Sequence, residues 1–449
     1  MKIYHAIVYL LFAVLANSCE NAFDYPIPPN SFEVVETDPP AVVTLEQQDG
    51  VWKMFVDGEE FYVKGVAANN FHDKGIQYGA NTVRTYGVND STRATLDKAY
   101  AAGMYVNFGL YIRRETDGFD YNNQTAVDQQ FQAMREAVLQ FKDHPAILCW
   151  SIGNEAEASY TNTKLWTAIN DIATMIHEED PNHPTTTTLA SSNVSHIQHI
   201  IQMAPEIDIL SVNTYAPNLP GVLNNLATAG WQKPYMITEY GPRGTWQMNP
   251  EPDRILNWGA LVEQTSTEKA QIYLDAYQNH IVANRQQGCI GSFVFLWGYQ
   301  LHGEVLTWYG MFDKQGNTFA AVDAMQYAWT GSYPTNRAPV IQDRSKILMN
   351  GKRAEENITV SKNSTNTATV EASDPDNDPL TYAWRIIKEK SAAADGSLPN
   401  GIAGLITDAT LPSISFNAPN ETGGYRLIIF VIDQNNKKAA SAVIPFYVE

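Results

Sequence analysis

The chain has 449 residues, 44% hydrophobic and 18% charged, a composition that describes a globular protein with a large core and excludes disorder. Its formal net charge of −19 argues against nucleic acid or an anionic membrane surface as a ligand, since either needs a cationic footprint. A neutral or cationic substrate fits better, and the length allows a barrel-sized domain followed by a smaller one.

The first residues read as an export signal. Lys2 precedes an apolar run from Ala6 to Leu15, and "ANSC" then ends on Cys19. The run is too short to span a bilayer as a mature helix. Residues 1–19 are therefore expected to be a lipoprotein-type signal peptide with Cys19 the lipidated residue; an ordinary cleaved signal is the competing reading. Either places the protein in the cell envelope, lipid-anchored at the outer membrane or cell surface, or secreted, with the membrane touched only through the anchor. Residues 20–45, with "DYPIPPNSF" and "TDPPAVV", are Pro-rich and read as an extended linker. "WKMFVDGEEFYVKGV" from residue 52 shows two alternating runs around Asp57-Gly58, a β-hairpin signal.

Eight strand candidates follow: "FYVKGVAAN" (61), "NTVRTYG" (81), "MYVNFGLY" (104), "AILCWSIGNE" (146), "TTTTLA" (185), "IDILSVNTYAP" (207), "PYMITEYG" (234) and "GSFVFLWGY" (291). Amphipathic stretches separate them, such as "STRATLDKAYAAG" with its Ser cap and Gly stop, "TAVDQQFQAMREAVLQFKDHP" and "STEKAQIYLDAYQNHIVANRQQG"; "NTFAAVDAMQYAW" follows the last strand. Near-continuous apolar strands alternating with helices predict a parallel sheet covered on both faces, and eight repeats predict closure into a (β/α)8 TIM barrel over 46–334, the hairpin included. The fifth strand has β-propensity from its threonines but no apolar signature. Cys149 and Cys289 fall inside strands and read as buried free thiols in preference to a disulfide.

Beyond "GSYPTNRAPV" the pattern changes to short strands separated by turn signals, which predicts an all-β, immunoglobulin-like sandwich over 335–449. The fold class is thus α/β with a C-terminal all-β domain, read as a spacer between barrel and membrane. Within it, "DPDNDPL" reads as a turn whose Asp side chains bond their own backbone; a calcium site is the minority reading, since its spacing is not that of an EF-hand.

The C-terminal ends of barrel strands converge on one face, where chemistry sits. "WSIGNEAE" puts Asn154 and Glu155 at that end of strand four, and "YMITEYG" puts Glu239 at that end of strand seven, across the mouth. Two facing carboxyl groups are what glycosidic hydrolysis needs: one protonates the leaving oxygen and the other meets the oxocarbenium-like centre. Arg84 on strand two is a buried cation that would hold Glu239 ionised. Tyr215 on strand six could donate to the same carboxylate. For Trp297 on strand eight, a floor for a sugar ring and simple core packing are both open. His72 and Asn69 after strand one are candidates to line a subsite, and Trp246, Trp308 and Tyr309 are candidate outer platforms. The histidines form no ligand cluster, so neither metal nor cofactor is expected.

"GANTVRTYG", "WSIGNE", "ITEYG" and "FVFLWGYQ" resemble the retaining (β/α)8 glycoside hydrolases of clan A, over roughly residues 52–330. The resemblance implies Glu155 as general acid/base, Glu239 as nucleophile, Asn154 as the contact to the sugar 2-hydroxyl, and carboxyl groups about 5 Å apart. The architecture is most similar to bacterial family 158 endo-β-1,3-glucanases. The closing segment "TWYGMFDKQGNTFAAVDAMQYAWTG" is like that of family 2, whose usual leading sandwich domains have no room in the short hairpin here. The resemblance thus implies an endo-β-1,3-glucanase acting as a monomer on a polysaccharide or oligosaccharide, with no nucleic acid partner. A transglycosylase, another β-glycosidase of the clan, and a non-catalytic glycan-binding lipoprotein are the alternatives.

Overall fold

A computed structural model describes residues 38–449, except 69, 249–250, 252–253, 300–306, 392, 394–396 and 435–436. The expected signal with Cys19, the linker up to residue 37, and Asn69 lie outside the described residues. Among those described, no helix is long and apolar enough to cross a membrane.

The chain opens with a three-stranded antiparallel sheet of β1 (Val43–Gln48), β2 (Val51–Val56) and β3 (Glu59–Phe61). β2 and β3 form the expected hairpin around Asp57-Gly58. β1 corrects the linker, which does not run to residue 45: Ala41 and Val43 are buried and Val43 starts a strand paired with β2. Only the first residue of β1 is fully buried, so its apolar signal is faint, and Pro39-Pro40 disguises its start. Met54 and Val56 join Val63, Leu148, Met236 and Ile290 in one apolar cluster, so this small sheet caps the barrel interior.

The eight expected strands are present as β4 (Val63–Ala68), β5 (Thr82–Arg84), β6 (Tyr105–Leu110), β7 (Ile147–Asn154), β8 (Thr185–Leu189), β9 (Ile209–Asn213), β10 (Tyr235–Tyr240) and β11 (Cys289–Trp297). They pair in parallel and close into a barrel. Helices α1 (Thr92–Ala101), α2 (Gln124–Phe141), α3 (Lys164–Glu179), α4 (Val194–Met203), α5 (Val222–Ala229), α6 (Ser266–Ala276) and α7 (Ala320–Thr330) cover it, and a 3₁₀ turn (His72–Tyr78) stands after β4. Ser91 precedes α1 but makes no side-chain cap; its hydroxyl bonds Asn89 instead. The threonines of β8 are all buried. Their hydroxyls are satisfied by neighbours, Thr186 by Ser211 at 2.7 Å and Thr187 by the Ile152 carbonyl at 2.8 Å, which is why a polar strand is tolerated inside. Cys149 and Cys289 are buried free thiols.

After the barrel come β12 (Ile347–Met349), β13 (Thr359–Val360), β14 (Thr365–Val370), β15 (Leu380–Lys388), β16 (Ser413–Asn417), β17 (Gly423–Asp433) and β18 (Lys438–Val448). They form a three-stranded sheet (β12-β14-β16) and a four-stranded sheet (β13-β18-β17-β15) that share one apolar core. β12 was not expected from the sequence, being only three residues long. These sheets are docked on the barrel, not strung out from it: Lys438 pairs with Asp323 of α7, and the Ser441 N–H donates to Ser266 at 3.0 Å. In the "DPDNDPL" turn the Asp374 carboxylate accepts the N–H groups of Asp376 and Asp378 at 2.8 and 3.1 Å, the self-capping arrangement expected.

Inside the barrel, Gly65 on β4 faces Phe293 on β11, and an added Cβ would stand 2.1 Å from that ring. The Gly65→Ala variant is expected to lose about 1–3 kcal/mol of stability by overpacking, read by chemical denaturation. An unchanged midpoint and slope would contradict this packing of the lumen.

Candidate active site

Arg84 ends β5 with its side chain 1% exposed, and five hydrogen bonds surround its guanidinium. Nη1 donates to Glu239 Oε1 and the Thr238 carbonyl, both at 2.9 Å, and to Asn213 Oδ1 at 3.2 Å. Nη2 donates to Asn154 Oδ1 at 2.7 Å and Thr188 Oγ1 at 3.3 Å. One cation thus ties the C-terminal ends of β7, β8, β9 and β10 together.

Glu239 lies buried on β10. Besides Arg84 it accepts from the Tyr86 hydroxyl at 2.9 Å and the Tyr215 hydroxyl at 2.5 Å. Three donors, one cationic, suit a carboxylate and would leave a neutral acid poorly matched. Burial raises both tyrosines well above the ordinary phenol value, with the Glu239 charge adding to it, so both remain donors.

Glu155 has the opposite surroundings. β7 is apolar and buried until Gly153, whose φ of 78° and closeness to Ile112 leave no room for a side chain. Asn154 follows, then Glu155 in the left-handed region at φ 52°, its N–H held by the Thr188 carbonyl at 2.9 Å. A non-glycine residue held there is the kind of local strain that clusters at functional sites. Among the described residues its carboxyl accepts one bond, from Asn213 Nδ2 at 2.7 Å. Burial first, and the Glu239 charge second, push its pKa up to about 7.

Asn213 links Glu155 to the guanidinium that holds Glu239. It donates to Glu155 and Asn154 and accepts from Arg84 and Thr238, so all four of its bonding directions are engaged. The oxygen of Asn154 is fixed by Arg84 and Asn213, which leaves its amide nitrogen as the end able to donate. Neither Asn213 nor Tyr86 stands out in the sequence. Both lie two residues from one that does (Tyr215 and Arg84), a spacing that keeps side chains on one face of an extended chain.

The aromatic candidates divide. Trp246 is 60% exposed and stands edge-on to Tyr215 at 5.6 Å, placed as a platform at the mouth. Trp297 does not form a floor: it is fully buried among Tyr78, Phe312 and Trp329 on the helix side of β11, with Nε1 donating to the Phe71 carbonyl. Trp308 is 1% exposed, bonded to the Arg243 carbonyl, and Tyr309 packs on Tyr215 at 5.1 Å. These two are the wall behind the site and not outer platforms. His72 opens the 3₁₀ turn after β4 and bonds the Ala68 backbone; burial pulls its pKa below the ordinary imidazole value.

The model for the TIM barrel domain of glycosyl hydrolases family 2 matches residues 97–299. A β-glucuronidase from Chlorocebus aethiops is 24% identical over 217 residues, which cover 42% of this chain and 32% of that protein. A putative β-galactosidase structure from Bacteroides fragilis is similar at TM-score 0.49 and 15% identity, over 92% of this chain and 58% of that one. A Dictyoglomus thermophilum β-glucuronidase structure is similar at TM-score 0.49 and 16% identity, over 66% and 54%. The chain spans less than two thirds of the length of each.

Fold and family match support a retaining glycoside hydrolase. They overturn the expected kinship with family 158 glucanases, and with it the β-1,3-glucanase reading, because the barrel matches family 2. The quoted motifs are catalytic-centre residues that the clan shares whatever the substrate, and the domain arrangement proved a poorer guide than the barrel sequence.

A carboxyl raised to about 7 binds more protons folded than unfolded, so wild-type stability should fall as pH rises from the ordinary carboxyl range through 7. Thermal melts of wild type and Glu155→Gln should diverge accordingly, with the wild type losing ground between about pH 5 and pH 8. A difference independent of pH would contradict the shift.

Proposed function

We propose that the protein is a retaining β-glycosidase of the family 2 type. Glu155, protonated, donates to the departing glycosidic oxygen while Glu239 attacks the anomeric carbon, giving a glycosyl ester. Glu155, now a base, takes a proton from water, whose oxygen displaces Glu239 and releases the sugar. The observation that carries this reading is the opposed environment of the two acids. Glu239 meets Arg84 and two hydroxyls, whereas Glu155 is pushed up to about 7 by burial. Both carboxyl groups are present and engaged, which disfavours a purely glycan-binding role.

The glycone is proposed to be a neutral hexose, such as galactose, in place of a uronic acid. A sugar carboxylate needs a cation, and most of those after the barrel strands are engaged: Arg84 with Glu239, Arg114 with Asp117, Arg243 with Glu251, and Lys74 with the Gly316 carbonyl over the Phe71 ring, while the exposed Arg113 lies over the Phe119 ring at 5.4 Å. The loop residues outside the described set (69, 249–250, 252–253 and 300–306) include no Lys or Arg in the sequence. The two C-terminal sheets are read as an immunoglobulin-like sandwich, and Lys2, the Ala6–Leu15 run and Cys19 support export with a lipid anchor.

Aryl β-galactoside, β-glucoside and β-glucuronide should be compared by kcat/KM. The neutral glycosides are expected to exceed the glucuronide; the reverse order would sink the neutral-sugar assignment. The Glu239→Gln variant should stay folded at a lower melting temperature, because the buried Arg84 pair is broken, and lose turnover by a factor on the order of 10⁴. Near wild-type rates in that variant would rule out its assignment as nucleophile.

A further inference from the structure

One element of the barrel touches both the wall of the site and the C-terminal sheets. Residues 254–262, between β10 and α6, make a tight hairpin in which the Leu256 N–H donates to the Ala260 carbonyl and the Val262 N–H to the Arg254 carbonyl, both at 2.9 Å. Its apolar side chains part to two sides. Leu256, Ala260 and Val262 belong to the core of the C-terminal sheets, whereas Ile255 and Leu261 pack on the cluster of Tyr215, Trp308 and Tyr309. At its tip Trp258 lies against Gly424 of β17, where an added Cβ would come within 2.4 Å of the ring.

A buried charge relay runs alongside. Arg426 of β17, 0% exposed, donates to the Leu261 carbonyl at 3.1 Å and to Glu389 at 2.7 Å, and stands 3.6 Å from Glu263. Glu263 accepts from the Thr307 hydroxyl at 2.7 Å and from Lys269 at 3.1 Å, and Lys269 also donates to the Thr307 carbonyl at 2.8 Å. Thr307 has φ 58°, a conformation a β-branched residue adopts only when its surroundings impose it. The next two residues are Trp308 and Tyr309, and Tyr309 packs on the tyrosine that donates to Glu239.

We infer that the C-terminal sheets are a positioning element for the catalytic wall: through Arg426 and the 254–262 hairpin they hold Thr307–Tyr309, and thereby Tyr215, against Glu239. This rests on the reading of Glu239 as nucleophile. Arg426 and Trp258 are positioning residues, each acting through others.

The test uses the full chain as wild type, Arg426→Met, Arg426→Lys and Trp258→Ala, with hydrogen–deuterium exchange at amides 307–312 and steady-state kinetics on an aryl β-glycoside. Arg426→Met and Trp258→Ala should each speed exchange at 307–312 and lower kcat, both by about tenfold, while KM and exchange in β5 and β7 stay near wild type. Arg426→Lys, which keeps the charge, should fall between. Lower melting temperatures with 307–312 exchange and kcat unchanged would overturn the inference and leave an ordinary stabilising interface. If Arg426→Met does not fold, Trp258→Ala, at the hairpin tip, decides between these two outcomes. If the wild type turns over no glycoside, the functional reading fails, and the exchange data still decide the coupling.

Discussion

Arg84 is a cation taken almost wholly out of water, and the mouth of the barrel is organised around the need to pair it. An unpaired guanidinium at that depth would be prohibitive, and breaking such a buried pair typically costs about 3–5 kcal/mol. The pairing is met by one carboxylate and four neutral oxygens drawn from four strands. The planar, five-donor fork suits this role, and a lysine could not reach so many partners at once. Because Glu239 takes the charged contact, Glu155 is left, among the described residues, with one amide donor and the repulsion of its neighbour. On the proposed reading, a single ion pair thereby suits the two carboxyl groups to opposite tasks.

That asymmetry also explains the supporting residues. Asn213 fixes the distance between the acid and the guanidinium, and Tyr86 and Tyr215 complete the carboxylate's coordination. Tyr215 is in turn held by Tyr309, which follows the strained Thr307. The site is therefore only as well ordered as the wall behind it, which the C-terminal sheets help to build.

Much of this is legible in the sequence because parallel strands buried on both faces are written as long apolar runs, and a Glu at the end of such a run stands out. Glu155 and Glu239 are legible in that way, whereas the fifth barrel strand shows only the β-propensity of its threonines and Arg84 shows as a cation inside a short strand. Residues whose role depends on what lies across the barrel are not. Asn213 looks like any strand-end amide until the β5 guanidinium is placed opposite it. Trp297 is open between floor and core because strand periodicity is lost at the end of β11, and only its packing on Trp329 and Phe312 assigns it to the core. Short or weakly apolar elements, β1 and β12, carry too little signal to be seen. The glucanase expectation failed because catalytic motifs report the reaction and not the sugar.

The proposed mechanism turns on Glu239 forming a covalent bond to the sugar. A slow-releasing 2-deoxy-2-fluoro β-glycosyl fluoride of a turned-over sugar, followed by peptide mass spectrometry, measures this directly. The predicted result is one equivalent of glycosyl label on the peptide containing Glu239, as an ester at that residue. Label on Glu155 instead, or rapid inactivation without any label on Glu239, would contradict it.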